Sequence, residues 1–109
     1  MKTILRDAQQ HFQQLRHLLD SSSTRDQHYF TDLSIATEEA YVFMNAGMCA
    51  NTSVCRECAE HRDFIRSMLD ILGELEVNTA HARNYTEHFV RYSERVNTIL
   101  KNIASALAS

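Results

Sequence analysis

The chain has no proline and, among 109 residues, only two glycines, Gly47 and Gly73. A sequence with many hairpins or tight turns draws on both residues for its backbone reversals, so this one is expected to form few, long helices. Uninterrupted apolar runs are missing too. Met1 to Gln10 carry Lys2, Arg6 and Asp7 around a short apolar pair, which is neither the uncharged core of a signal peptide nor a membrane-spanning segment. The expected address is the cytosol, with no membrane partner. Positive charge is also scarce: 11 Lys and Arg stand against 14 Asp and Glu, interspersed along the chain. A strong non-specific grip on nucleic acid needs concentrated positive charge and is not expected. Cysteines number three, an odd count that fits free thiols or ligands better than a disulfide framework.

What is present is helical periodicity. Leu5, Ala8, Phe12, Leu15 and Leu19 recur at spacings of three and four, and the run Ser21 to Thr24 ends the pattern. Thr24 with Gln27 has the form of a capping box opening a second helix through Phe30, Leu33, Thr37, Ala40 and Met44, with Gly47 as its C-cap. Thr52 or Ser53 caps a third helix along Val54, Cys58, His61, Ile65, Met68, Leu72 and Leu75. Gly73 lies inside it, costing about 1 kcal/mol relative to Ala unless a close helix approach offsets this. Asn78 or Thr79 caps a fourth helix of roughly 28 residues, about 42 Å long, whose seam is Tyr85, Phe89, Tyr92, Val96, Ile99, Ile103 and Ala106. Four amphipathic helices on short loops predict an all-α fold, an antiparallel up-down four-helix bundle formed as a single domain over residues 1–109. The last helix is long enough to overhang the bundle and offer its seam to a second chain.

Chemistry concentrates in MCANTSVCRECAEH, residues 48–61. Cys58 and His61 fall within the third helix's apolar stripe, Cys55 at its edge, and Cys49 in the preceding loop can fold back. Cysteine packs as a small hydrophobe and a seam histidine commonly packs with a hydrogen bond, so one reading is core and loop thiols with no cofactor. The other is a single Zn or Cu(I) ion held by Cys49, Cys55, Cys58 and His61, three thiolates and an imidazole being a set that zinc accepts, with Met44 and Met48 nearby as soft donors for copper. The segment SVCRECAEH resembles the four-helix copper-storage bundles, whose helices point many cysteines into the core; helices 1, 2 and 4 here have none, which limits the comparison to one small site. A third reading is redox sensing through Cys55, where the helix dipole and Arg56 would lower the thiol pKa.

Arg83, Asn84 and His88 spell Arg-Asn-x3-His at the start of the fourth helix. This resembles the signature of the HEPN superfamily, small helical domains that include toxin and defence ribonucleases. The resemblance implies metal-independent RNA cleavage at a dimer interface, with His88 transferring protons and Arg83 stabilising negative charge at the phosphate. Many family members place a tyrosine two residues after the histidine; Val90 stands there. Glu-x-x-His pairs for a di-iron centre are absent, and so is the Lys-Gly that usually follows a phosphotransfer histidine. The function expected from the sequence is a non-enzymatic helical interaction or assembly module, a homodimer or the helical partner of a larger protein, using the seam of helix 4 and part of helix 1. RNA is a partner only under the ribonuclease reading.

Overall fold

Leu5, Ala8, Phe12, Leu15 and Leu19 are buried along one side of the first helix, α1 (Lys2–Asp20), as their spacing requires. The structure, a computed structural model, describes residues 2–20, 26–46 and 58–108, the side chains of Lys2, Cys58 and Ala59 excepted. Helix α2 (Gln27–Met44) buries Tyr29, Phe30, Leu33, Thr37, Ala40 and Met44 and widens into a π turn at residues 45 and 46. Its N-cap is Asp26, whose carboxylate accepts a 2.9 Å hydrogen bond from the Tyr29 amide. The expected cap Thr24 and the C-cap Gly47 lie outside the described residues. Helix α3 (Cys58–Val77) buries His61, Ile65, Met68, Leu72 and Leu75. A 3-10 helix (Thr79–Tyr85) then leads into α4 (Thr86–Ala108), which buries Phe89, Tyr92, Val96, Ile99, Leu100 and Ile103.

The helices pack in a ring: α1 against α2 and α4, α2 against α3, and α3 more thinly against α4. The Tyr29 hydroxyl at the start of α2 donates a 2.8 Å hydrogen bond to the Leu18 carbonyl, one of the orphaned acceptors at the end of α1. Further along, His11 of α1 stacks on Phe43 near the end of α2, ring centroids 4.3 Å apart, which makes the two helices antiparallel. The fold is the expected all-α four-helix bundle, 44 × 23 × 19 Å.

Two expectations are corrected. The fourth helix has 23 residues, about 35 Å, because its first turns tighten into the 3-10 segment. Its seam does not overhang: Phe89 through Ile103 face the core, and Ala106 and Leu107 still pack against it. That seam is therefore consumed within the chain. Gly73 has no close neighbour either, since an added Cβ would meet nothing within 4 Å.

One buried polar chain crosses the core. The Tyr92 hydroxyl donates to Thr37 Oγ1 at 2.9 Å, and Thr37 donates to the Leu33 carbonyl at 2.7 Å. Burial pushes the Tyr92 hydroxyl pKa above the usual tyrosine range.

Gly73→Ala is expected to stabilise the fold by about 0.5–1 kcal/mol, read as a higher urea midpoint at unchanged slope. Thr37→Val, which strands a buried hydroxyl donor, should cost more than Tyr92→Phe, about 1–3 against about 1 kcal/mol. Above about pH 10 the unfolded chain releases the Tyr92 proton that the folded chain retains, so stability falls with rising pH; Tyr92→Phe should flatten that alkaline limb in denaturation measured by circular dichroism.

Candidate functional site

Two polar clusters join α3 to its neighbours, one to α4 and one to the 3-10 helix. The first is built on His61, which sits where the apolar stripe of α3 places it and is 1% exposed. Arg95, on the facing side of α4, approaches His61 Nδ1 at 3.3 Å. A guanidinium only donates, so Nδ1 accepts and the imidazole is the uncharged Nε2–H tautomer. Arg95 also lies over the Phe64 ring, 5.1 Å from its centroid, and Phe64 leans on Tyr92 at 6.0 Å. Around this group the thin α3–α4 contact leaves a cleft of about 320 Å³, lined by His61, Phe64, Arg91, Glu94, Arg95 and Thr98.

Of the expected metal set, only the His61 side chain falls within the described residues. Cys49 and Cys55 lie outside them, as does the side chain of Cys58, whose backbone opens α3 one turn before His61. With Nδ1 turned to Arg95, the ring nitrogen left for an ion is Nε2, which would first have to lose its proton. Among the described residues no three His, Cys, Asp or Glu side chains gather into a metal-binding group.

The second cluster joins the end of α3 to the 3-10 helix. Asn78 caps that helix, its Oδ1 accepting from the Ala80 amide at 3.1 Å. This fixes the amide orientation, so Asn78 Nδ2 is the group facing His81 Nε2 at 3.4 Å. His81 then donates from Nδ1 to Glu74 Oε1 at 2.9 Å, and the Tyr85 hydroxyl donates to Glu74 Oε2 at 2.7 Å. The Tyr85 bond first, and His81 second, hold the Glu74 carboxyl below its usual pKa; the same bond raises that of Tyr85. An imidazole oriented by a carboxylate resembles a general base, but the nitrogen that would take a proton faces the Asn78 amide. The cluster works as a latch.

Arg83, Asn84 and His88 are all exposed. His88 meets the Tyr85 ring edge-on at 5.4 Å. The 3-10 turns between Arg83 and Tyr85 advance about 120° per residue and the α turns after them about 100°, which sets Arg83 and His88 roughly 180° apart around the helix. Within one chain they do not converge on one phosphate. Arg95 and Glu74, the organising residues of the two clusters, belong to no motif in the sequence. Arg95 does follow Arg91 by one turn on the flank of the seam, a spacing that could have marked it.

Compared with protein-family models, curated proteins and solved structures, the chain matches none.

The Glu74 carboxyl should titrate below its ordinary value of 4.5 in a carbon-detected NMR titration, and Tyr85→Phe should move it back up. Because its folded pKa is lowered, the stability contributed by the latch is present above about pH 4.5 and is lost as pH falls through the folded value.

Proposed function

We propose that this chain is a non-enzymatic helical interaction module that receives a basic amphipathic helix on the outer face of α2. One observation carries the reading. Ile35 and Val42, 52% and 57% exposed, lie two turns apart opposite the buried stripe of α2, among the exposed Asp32, Glu38 and Glu39. Helix α2 contains no Lys or Arg. Two outward β-branched residues in an acidic surround complement a helix with apolar residues at the same spacing and cationic flanks. A homodimer through this face would oppose the carboxylates with their own copies, so the mixed pair is favoured. No helix among the described residues is long and apolar enough to cross a membrane, and the cytosol stays part of the proposal.

A single Zn or Cu(I) ion at Cys49, Cys55, Cys58 and His61 is an additional reading, supported by the one-turn spacing of Cys58 and His61 on α3. Thiol sensing through Cys55 is its alternative. The ribonuclease reading draws support from the exposure of Arg83, Asn84 and His88 and requires two chains to complete a site.

A synthetic Lys/Leu amphipathic peptide of about 18 residues should bind the protein in calorimetry, while a scrambled peptide of equal composition should not. Ile35→Asp with Val42→Asp should abolish binding and leave the fold intact, and Val90→Asp should change nothing; equal binding of both peptides would overturn the reading. Native mass spectrometry in reducing buffer tests the rest at once. A dimer would redirect the proposal to self-association, and a metal mass lost on replacing the three cysteines by serine would establish the ion. RNA cleavage abolished by His88→Ala would replace the proposal with the ribonuclease.

A further inference from the structure

We propose that the cleft between α3 and α4 binds a small oxyanion, a phosphate or carboxylate group, through the guanidinium groups of Arg95 and Arg91. This site is separate from the α2 face and does not depend on it. Arg95 is half-buried, yet among the described residues no carboxylate lies within ion-pair distance of it. Its polar contact is an uncharged imidazole at 3.3 Å, and its other neighbour is the Phe64 ring. Partial burial of a guanidinium strips water from a charge, and proteins ordinarily offset that with a carboxylate or phosphate. Here the imidazole and the aromatic face hold the fork in place while most of its five donors remain available to a ligand. They border an open cleft of about 320 Å³, room for an oxyanion and the small molecule that carries it.

Arg91 stands one turn before Arg95 on the same rim of the cleft. Its ion pair is with Glu87, at 2.9 Å and well exposed, the kind of contact that contributes little and exchanges readily for another anion. The two guanidinium groups can therefore close on one oxyanion from adjacent turns, with bidentate geometry supplying the specificity. Thr98 adds a hydroxyl to the same rim, although it donates to the Glu94 carbonyl at 3.1 Å. Glu94 also lines the cleft, and its carboxylate opposes an incoming anion. It tunes the site toward ligands of modest charge.

The test is an NMR titration of the arginine Nε–Hε resonances with sodium phosphate and, separately, sodium succinate, chloride holding the ionic strength constant. A saturable shift of Arg95 with either anion is expected, and which anion saturates assigns the ligand as phosphorylated or carboxylated. Arg95→Gln should weaken binding by about ten- to a hundredfold, the loss of a charge-assisted bond pair. Glu94→Gln should tighten it, which a purely structural cleft would not show, and Arg66→Gln, exposed on α3, should leave it unchanged. Should Arg95→Gln fail to fold, the exposed Arg91→Gln decides the matter, with an expected loss of several-fold or more. The absence of a saturable response to both anions, or unchanged affinity in Arg91→Gln, would overturn the proposal.

Discussion

The hydroxyl chain from Tyr92 through Thr37 to the Leu33 carbonyl fixes how the bundle is put together. Apolar side chains drive the four helices into contact, but packing of leucines, isoleucines and methionines tolerates sliding and rotation; a buried donor does not, because an unmade hydrogen bond in the core is costly. Tyr92 belongs to α4 and Thr37 to α2, helices on opposite corners of the ring. Their bond at 2.9 Å ties the diagonal and leaves one axial register in which both hydroxyls are satisfied. Phe30, two turns before Thr37 on α2, meets Phe89, one turn before Tyr92 on α4, with ring centroids 6.2 Å apart.

Setting that register directs the whole seam of α4 inward. The heptad pattern that would zip a second chain is filled by α1, α2 and α3 of the same chain, which leaves function to the surfaces the bundle does not use. One such surface is on α2, whose apolar residues occupy two opposite sides of the helix: Phe30, Leu33, Ala40 and Met44 within, Ile35 and Val42 without. A helix needs only one apolar stripe to join a bundle. The second stripe, bordered by three carboxylates and by no Lys or Arg of α2, is unexplained by folding, and folding alone would be better served by polar residues there.

The buried faces of all four helices are legible in the sequence, because burial on a helix depends on a spacing of three and four that tertiary structure does not alter. Features set by contacts distant in sequence are not. The 3-10 entry to α4 depends on Glu74 holding both His81 and Tyr85, and periodicity carries no trace of a bond made across 11 residues. Helix N-caps are half legible: Asn78 has the sequence context of a cap and is one, whereas Asp26, two residues past the capping-box threonine, caps α2 with its own carboxylate. His61 lies on the stripe where periodicity puts it, but its partner Arg95 is 34 residues away on another helix, and the tautomer it enforces follows only from that contact. Nothing packs closely on Gly73, and the sequence left that open because the spacing of a glycine does not reveal which face of a helix meets a neighbour.

Both polar clusters hold α3, one to α4 and one to the 3-10 helix before it, and this links the fold to its candidate chemistry. The α3–α4 contact is the thinnest of the four in the ring and is clasped by Arg95 with His61, while Glu74 with His81 and Tyr85 clasps α3 to the 3-10 helix that leads into α4. Between them Phe64 touches Tyr92. Polar clasps exchange with water and with ions far more readily than a packed apolar seam does, so this boundary should open at lower free energy than the α1–α2 or α1–α4 boundaries. It is also the boundary that leads to Tyr92 and the diagonal bond. An anion drawn to Arg95 would act on a guanidinium that touches both His61 of α3 and the Phe64 ring resting on Tyr92, and would thereby tighten the one edge of the ring that packing alone leaves loose.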